Sequence, residues 1–520
     1  MCFGWIALGY TGGACAFHAE DSAVASREYV LSLQLNDTRQ TIHSFGASDC
    51  WTAKFIGTWA DEAKKNRIAD LLFSMDTLAD GSPEGIGLSL WRFNIGAGSY
   101  EQGAASGIRT DWRREECFLN ADGSYDWKKQ QGQQWFLDAA RKRAVRYTLG
   151  FSNAPPVHLA RNGKAFNPGG DSLNILPGKM DDYARFLAEV AVHFDFDYLS
   201  PVNEPQWDWE GKGKGATQEG SPAQNEEISR LVKSLSRQLA SSGARTAIVV
   251  GEAGEWDYLY EKNEDGRGEQ VNAFFSPASA HYIGDLPHVL NVISGHSYWT
   301  TCPDSRLREV RQRVADAVES VNPSPEVWQT EFGILGNICG RYSGPPRNTT
   351  MDYGLYVAKV IHHDLTVAGV SSWQWWLGIN PYDYSDGLVY INDPTGRINP
   401  PGSKEDGIIL ESKQLWVLGN YSRFIRPGMQ RVAAAIAGPD APEDLLVSAY
   451  RREKDSKLVV VIVNESKEAR RLRLPDVVKT ASPYRVYTTD AQRDLEKTTG
   501  VSRDLTLNPR SVTTLLATYD

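Results

Sequence analysis

Asp197-Tyr198-Leu199-Ser200-Pro201-Val202-Asn203-Glu204 is a short β-rich run ending in an amide and a carboxylate; a loop and then a helical segment, Glu226–Ala240, follow it. The same unit recurs on both sides. Runs of this kind are Thr41–Ser48, Ile86–Gly96, Val145–Asn153, Asp197–Glu204, Ala247–Ala253, Asn291–Tyr298, Glu326–Glu331 and Gly369–Leu377. Between them, helical periodicity appears at Asp61–Leu72, Trp127–Arg143, Met180–Phe194, Arg306–Val321 and Tyr353–Val367. Strands alternating with helices imply parallel βαβ units, and eight of them in about 340 residues fit a closed (β/α)8 barrel. An open doubly wound sheet would want a Gly-rich phosphate loop after its first strand, and Phe45-Gly46-Ala47-Ser48-Asp49 is not one.

Beyond Trp416 the pattern changes to short strands and turns. Leu445–Tyr450 and Leu458–Val463 flank the charged stretch Arg451–Lys457 as a hairpin would, and Leu472–Pro475, Tyr484–Thr488 and Ser511–Thr518 continue the series. Glu28–Leu35 alternates like a strand too. The expected fold class is therefore α/β, a (β/α)8 TIM barrel with an accompanying antiparallel β-sandwich domain. The expected division is a leader at 1–26, an N-terminal strand joining the sandwich at 27–40, the barrel at 41–410 and the sandwich at 411–520.

Composition narrows the function classes. The 520 residues carry 55 Lys+Arg against 65 Asp+Glu, a formal charge of −10, with no basic cluster to neutralise phosphates, so no nucleic-acid partner is expected. No run of about 18 apolar residues is present, so no membrane-spanning segment is expected. Tryptophan is abundant: 16 residues, 15 of them between Trp51 and Trp416 and none later. Indole rings fill cores, and they also pack against the C–H faces of sugars. Residues Met1 to Ala19 are apolar and rich in small residues, as in a secretory leader, although the first basic residue is Arg27. A secreted, periplasmic or cell-surface location is expected, with lipidation at Cys15 a weaker alternative. The six cysteines show no C-x-x-C spacing, and their pairing is open.

In a (β/α)8 barrel the active site lies at the C-terminal ends of the strands. The run ends supply Asp49 and Trp51, Arg92 and Asn94, Asn153, Asn203 and Glu204, Glu252, His296 and Tyr298, Glu331, then Trp373, Trp375 and Trp376. A purely structural barrel has no need of a carboxylate, amide or imidazole at nearly every strand end. Glu204 closes run four and Glu331 closes run seven, which face each other across a barrel mouth. Glycoside hydrolysis needs two carboxyl groups so placed: one protonated for the leaving oxygen, one ionised at the anomeric carbon. Glu252 and Glu255 follow run five and are expected in supporting or subsite positions. Asp208 and Glu210, in the Gly-rich loop 207–220, are expected at distal subsites or in solvent. His362-His363-Asp364 lies within a helical segment, with its histidines on different faces.

The pairing resembles the retaining glycosidases of clan A. Leu90-Trp91-Arg92-Phe93-Asn94-Ile95-Gly96-Ala97-Gly98, Gly150-Phe151-Ser152-Asn153-Ala154-Pro155-Pro156 and Ser294-Gly295-His296-Ser297-Tyr298 resemble glycoside hydrolase family 30, closest to its endo-β-1,6-galactanase-like members. The resemblance implies Glu204 as acid/base, Glu331 as nucleophile and Asn203 as the amide bonding the 2-hydroxyl. It implies Arg92, Asn153, His296, Tyr298 and Trp375 around the −1 sugar; Asp49, Trp51 and Trp373 join them as substrate-binding candidates. The scheme needs no metal and no cofactor, and the expected partner is a polysaccharide or oligosaccharide.

The sugar and linkage stay open. β-1,6-Galactan is favoured, with β-1,6-glucanase, β-xylanase and glucosylceramidase-type activities as alternatives. Residues 373–394 contain no Lys or Arg, which favours a neutral glycan over a uronate-bearing one. A non-catalytic carbohydrate-binding protein and an inverting enzyme are the rival readings.

Overall fold

The computed structural model describes residues 28–519, apart from 212–215, 264, 439–440 and 481–482. The expected leader, with Cys2 and Cys15, lies outside the described residues. After β1 (Glu28–Thr41), the chain enters a parallel series: β2 (Ser44–Ser48), β3 (Leu90–Ile95), β4 (Tyr147–Ser152), β5 (Tyr198–Ser200), β6 (Ala247–Ala253), β7 (Val289–His296) and β8 (Glu326–Phe332). A short hairpin, β9 (Asn337–Ile338) and β10 (Tyr342–Ser343), follows, and then β11 (Ser372–Asn380) pairs in parallel with both β8 and β2. That double pairing closes the eight-stranded parallel barrel. β12 (Gly387–Asn392) and β13 (Ile408–Glu411) extend the sheet beyond β11.

Local sequence sets the helices between the strands. Asp61 caps Glu62–Phe73 by accepting from the Lys64 N–H at 3.0 Å. Gln224 and Glu227 form a reciprocal capping box on Asn225–Ser242, which ends at Gly243 with φ 69°. Alternation along the strands divides their side chains between two regions. Leu90, Leu149, Val249, Val292 and Trp328 pack together inside the barrel, while Trp91, Phe93 and Trp373 join the core between barrel and helices. Inside, the side chains turn from apolar to polar as each strand reaches its C-terminal end, from Leu90 to Arg92 and from Val292 to His296. The active-site candidates thus stand on an apolar plug.

The remaining strands are β14 (Gln430–Ala437), β15 (Leu445–Arg452), β16 (Lys457–Asn464), β17 (Arg470–Arg473), β18 (Tyr484–Thr489), β19 (Glu496–Gly500), β20 (Asp504–Leu507) and β21 (Ser511–Thr518). They form a nine-stranded sheet, order β19-β18-β21-β16-β15-β14-β1-β17-β20, which takes β1 between β14 and β17. Leu31, Val447, Val460, Leu472, Leu505 and Leu515, from strands across this order, share its apolar core. The sheet meets the barrel through the helix Lys413–Ser422, whose Asn420 bonds Thr489 at 2.6 Å and accepts from Thr514 at 3.0 Å. No helix among the described residues is long and apolar enough to cross a membrane.

Candidate active site

Glu204 and Glu331 meet at the mouth of the barrel. One oxygen of each, together with a nitrogen of His296, lie within 4.8 Å of one another. Glu204 follows β5 with φ 46° and Glu252 ends β6 with φ 47°, so both sit in the left-handed region that non-glycine residues occupy at a cost. That turn directs each carboxylate away from the regular alternation of its strand.

Arg92 on β3 organises the pair from below. Its guanidinium donates to Glu331 Oε2 at 2.7 Å, to Asn203 Oδ1 at 2.7 Å and to Glu252 Oε2 at 3.1 Å, and it stacks 3.6 Å from the Phe151 ring centre. Tyr298 donates to Glu331 Oε1 at 2.9 Å. His296 bridges the other carboxylates: Nδ1 lies 2.9 Å from Glu204 Oε1 and Nε2 lies 3.0 Å from Glu252 Oε2. Glu252, fully buried, also accepts from Ser200 at 2.7 Å and Thr330 at 2.8 Å.

The environments separate Glu204 from Glu252, two chemically identical groups. Burial raises the Glu204 carboxyl above its ordinary range; the His296 hydrogen bond opposes this and the Glu331 charge adds to it. Burial would raise Glu252 as well, but Arg92 and His296 outweigh it and hold that carboxyl at about 2. Burial would lower His296, yet the Glu331 charge and the hydrogen bonds to Glu204 and Glu252 bring it up to about 9. These contacts favour the protonated ring of His296, with Nδ1 facing Glu204 and Nε2 facing Glu252. The Glu204–His296–Glu331 cluster also has donor types that suit a metal.

Asp49, Asn94 and Asn153 form a second polar group. Asp49 Oδ1 accepts from the Asn94 N–H at 2.9 Å, and Asn153 donates to Asn94 Oδ1 at 3.0 Å. Asp49 Oδ2, Asn94 Nδ2 and Asn153 Oδ1 are buried without a protein partner among the described residues.

The aromatic candidates divide. Trp51 meets Trp376 edge-to-face at 5.2 Å and lies 4.7 Å beneath the Arg113 guanidinium. Trp51 and Arg113, with Trp112, Tyr382 and Asp386, border a cavity of about 230 Å³. Trp373 and Trp375 stand elsewhere and correct the expectation that they line the cleft. Both are fully buried on the outer face of β11 and pack against Phe332. The Trp373 indole donates to Asp364 at 2.8 Å, and the Trp375 indole donates to the Asp386 carbonyl at 2.7 Å. With a side-chain period of two, inward-facing Ser372 and Gln374 turn Trp376, not Trp375, toward the barrel interior.

Other features escaped the sequence reading. Glu252, expected in a supporting position, bonds Arg92 and His296, and nothing in the sequence indicated which partners it would have. Arg113 enters from the irregular segment between β3 and the helix Gln131–Lys142, so the search for basic residues in 373–394 alone missed a cation at this cavity. Its counterpart Asp386, pushed up to about 6 by burial, lies in the same place. A disulfide joins Cys302 to Cys339, whereas Cys50 and Cys117 are buried thiols.

An eight-stranded barrel with a buried arginine beneath two facing glutamates defines a carbohydrate-hydrolase architecture. Residues 28–390 match the model of O-glycosyl hydrolase family 30, and the chain belongs to that family. A conserved exported protein from Bacteroides fragilis has 32% sequence identity and a TM-score of 0.86, over 94% of this chain and 100% of that one. The catalytic domain of a family 30 xylanase from Talaromyces cellulolyticus shares the fold at 21% identity and TM-score 0.68, over 94% of this chain and 100% of its own. Among curated proteins, a glucuronoxylanase of Bacillus subtilis is 27% identical over 143 residues, which span 27% of this chain and 26% of that protein.

Proposed function

We propose that the protein is a retaining hydrolase of β-linked polysaccharide, with Glu204 as acid/base and Glu331 as nucleophile. The observation that carries this reading is the approach of their oxygens to within 4.8 Å, with the Glu204 carboxyl raised by burial and Glu331 bonded by Arg92 and Tyr298. Retaining enzymes hold the two carboxyls about 5–5.5 Å apart, whereas inverting ones leave about 6.5–9.5 Å for a water. Glu331, held by Arg92 and Tyr298, attacks the anomeric carbon while Glu204 gives its proton to the departing oxygen. The C–O bond breaks and an ester to Glu331 forms. Esterification removes the Glu331 charge that had helped keep Glu204 protonated. Glu204 then takes a proton from water, whose oxygen bonds the anomeric carbon as the ester C–O bond breaks. Asn203 is assigned to the sugar hydroxyl beside the reacting carbon, and Asp49 and Asn153 to further hydroxyls of the same sugar.

For the substrate, we propose an internal linkage of β-1,6-galactan, on the resemblance of the strand-end motifs. Family 30 xylanases and an endo-β-1,6-glucanase share the fold, so xylan and β-1,6-glucan are the alternatives. Arg113 and Asp386 put one charge of each sign at the cavity, which keeps glucuronoxylan among the substrates to test. Similarity to an exported protein supports action outside the cytoplasm. The test is product analysis on β-1,6-galactan, β-1,6-glucan, β-1,3-galactan, xylan and glucuronoxylan, with Glu331→Gln alongside. Oligosaccharides from β-1,6-galactan alone support the proposal, and release from another polymer reassigns the linkage. Binding without hydrolysis by the unmutated protein would instead indicate a carbohydrate-binding protein.

A further inference from the structure

Three aromatic residues beside Glu204 have no part in the chemistry described so far. Trp299 is 45% exposed, unusual for the largest side chain, and directly follows Tyr298, whose hydroxyl bonds Glu331. Its φ of 56° breaks the extended course of the chain just past β7. Trp207 meets Trp299 edge-to-face at 5.7 Å, and Tyr258 meets Trp207 in the same way at 5.9 Å. Edge-to-face packing fixes neighbouring rings at right angles and makes a corner with two faces.

The corner is built on the catalytic strands' own ends. The Trp207 N–H donates to the Glu204 carbonyl at 3.2 Å. Its indole lies so close over Gly254, two residues past Glu252, that a Cβ there would stand 2.2 Å from Trp207 Nε1. Trp299 borders Gly336, just past β8, where a Cβ would be 3.6 Å from its Nε1. Three residues beyond Trp299, Cys302 is joined to Cys339 between β9 and β10. The disulfide thus anchors the Trp299 turn to the segment that leaves the Glu331 strand.

We propose that Trp299, backed by Trp207 and Tyr258, is the platform for the leaving-group sugar, and that it makes the protein select chains extended past the scissile bond. This rests on the assignment of Glu204 as acid. The oxygen receiving the Glu204 proton belongs to the departing sugar, so that sugar must lie on the Glu204 side. The turn carrying Trp207 begins at Glu204, whereas the cavity of Trp51, Arg113 and Asp386 is formed by segments following β2, β3 and β11. An aromatic face there stacks on the ring of the departing sugar; a water-facing indole otherwise leaves a large apolar surface exposed.

The test compares Trp299→Ala with the unmutated protein on two substrates: the polysaccharide that it cleaves and the β-fluoride of the corresponding disaccharide. Fluoride as a leaving group has no ring to stack. The ratio of kcat/KM for the polymer to that for the fluoride is expected to fall ten-fold or more, mostly through KM. Trp299→Phe, which keeps a flat face, is expected to recover at least a third of that ratio. An unchanged ratio overturns the platform, whether both activities fall together or neither moves. If the unmutated protein releases neither fluoride nor sugar, the hydrolase reading fails along with it. A Trp299→Ala protein that does not fold is replaced by Cys302→Ser/Cys339→Ser, for which the same ratio is expected to fall at least three-fold and an unchanged ratio counts against the platform.

Discussion

Glu252 sits between two cations and cannot itself reach solvent, so its charge serves Arg92 and His296 rather than the substrate. Glu252→Gln leaves both cations with less compensation, at an expected cost of about 3–5 kcal/mol, typical of breaking a buried pair. The pH dependence follows from the shifts. Glu252, held at about 2 against an ordinary 4.5, stabilises the fold above pH 4.5 and loses this as pH falls toward 2. His296, raised to about 9 from 6.5, stabilises below pH 6.5 and loses this as pH rises toward 9. The Tm gap between parent and Glu252→Gln is therefore expected to be widest between pH 4.5 and 6.5, narrowing on both sides in thermal melts. Glu204 gives a second prediction at this scale. Because the Glu331 charge helps to raise its pKa, Glu331→Gln should move the Glu204 titration to lower pH, as NMR of labelled glutamate would report. Glu204→Gln should lower kcat by about 10²–10⁴-fold on poor leaving groups, the usual share of a general acid.

Among the elements, the segment between β3 and the helix Gln131–Lys142 is tied down by one buried amine. Lys54 donates to the carbonyls of Asp111, at 2.7 Å, and Arg114, and pairs with Glu115 at 3.7 Å. These contacts set the position of Trp112 and Arg113 at the cavity. Lys54→Met removes the donor shared by these carbonyls, so hydrogen exchange across 108–116 should speed up and KM should rise more than kcat falls. The eight barrel strands and most helices were legible because a β-run followed by a helical period repeats, and Glu204 and Glu331 stand where strands stop, with Arg92 inside β3. Trp375 was misplaced because β11 is aromatic on both faces, so composition there does not reveal which face turns inward. A bulge in its pairing with β8 removes the remaining guide. Arg113 and Asp386 were not legible as neighbours, since 272 residues separate Tyr382 from Thr110, which bond across the same cavity wall. Irregular loops carry no period to align them.

At the scale of the molecule, the chain begins its second sheet before it begins its barrel. β1 lies between β14 and β17, so the barrel is an insertion between one strand and the rest of that sheet. Removing residues 28–41 would strip Tyr29 and Leu31 from the apolar core and leave two inner strands with open edges. The shortened protein is expected to aggregate on expression, with no soluble monomer by size-exclusion chromatography; a soluble active product would show that the sheet tolerates the gap. The junction is also polar: Lys359 pairs with Glu465 at 3.3 Å and Lys413 with Asp494 at 2.7 Å. Such contacts keep the two parts of the molecule together without adding to the site.

The stereochemistry of the first-formed product tests the pairing of Glu204 and Glu331 most directly. Proton NMR during the opening minutes of polysaccharide cleavage resolves the two anomers before mutarotation mixes them. The proposed double displacement predicts the β-anomer first, with the α-anomer growing in only later. Initial appearance of the α-anomer would contradict it and require a water between the two carboxylates.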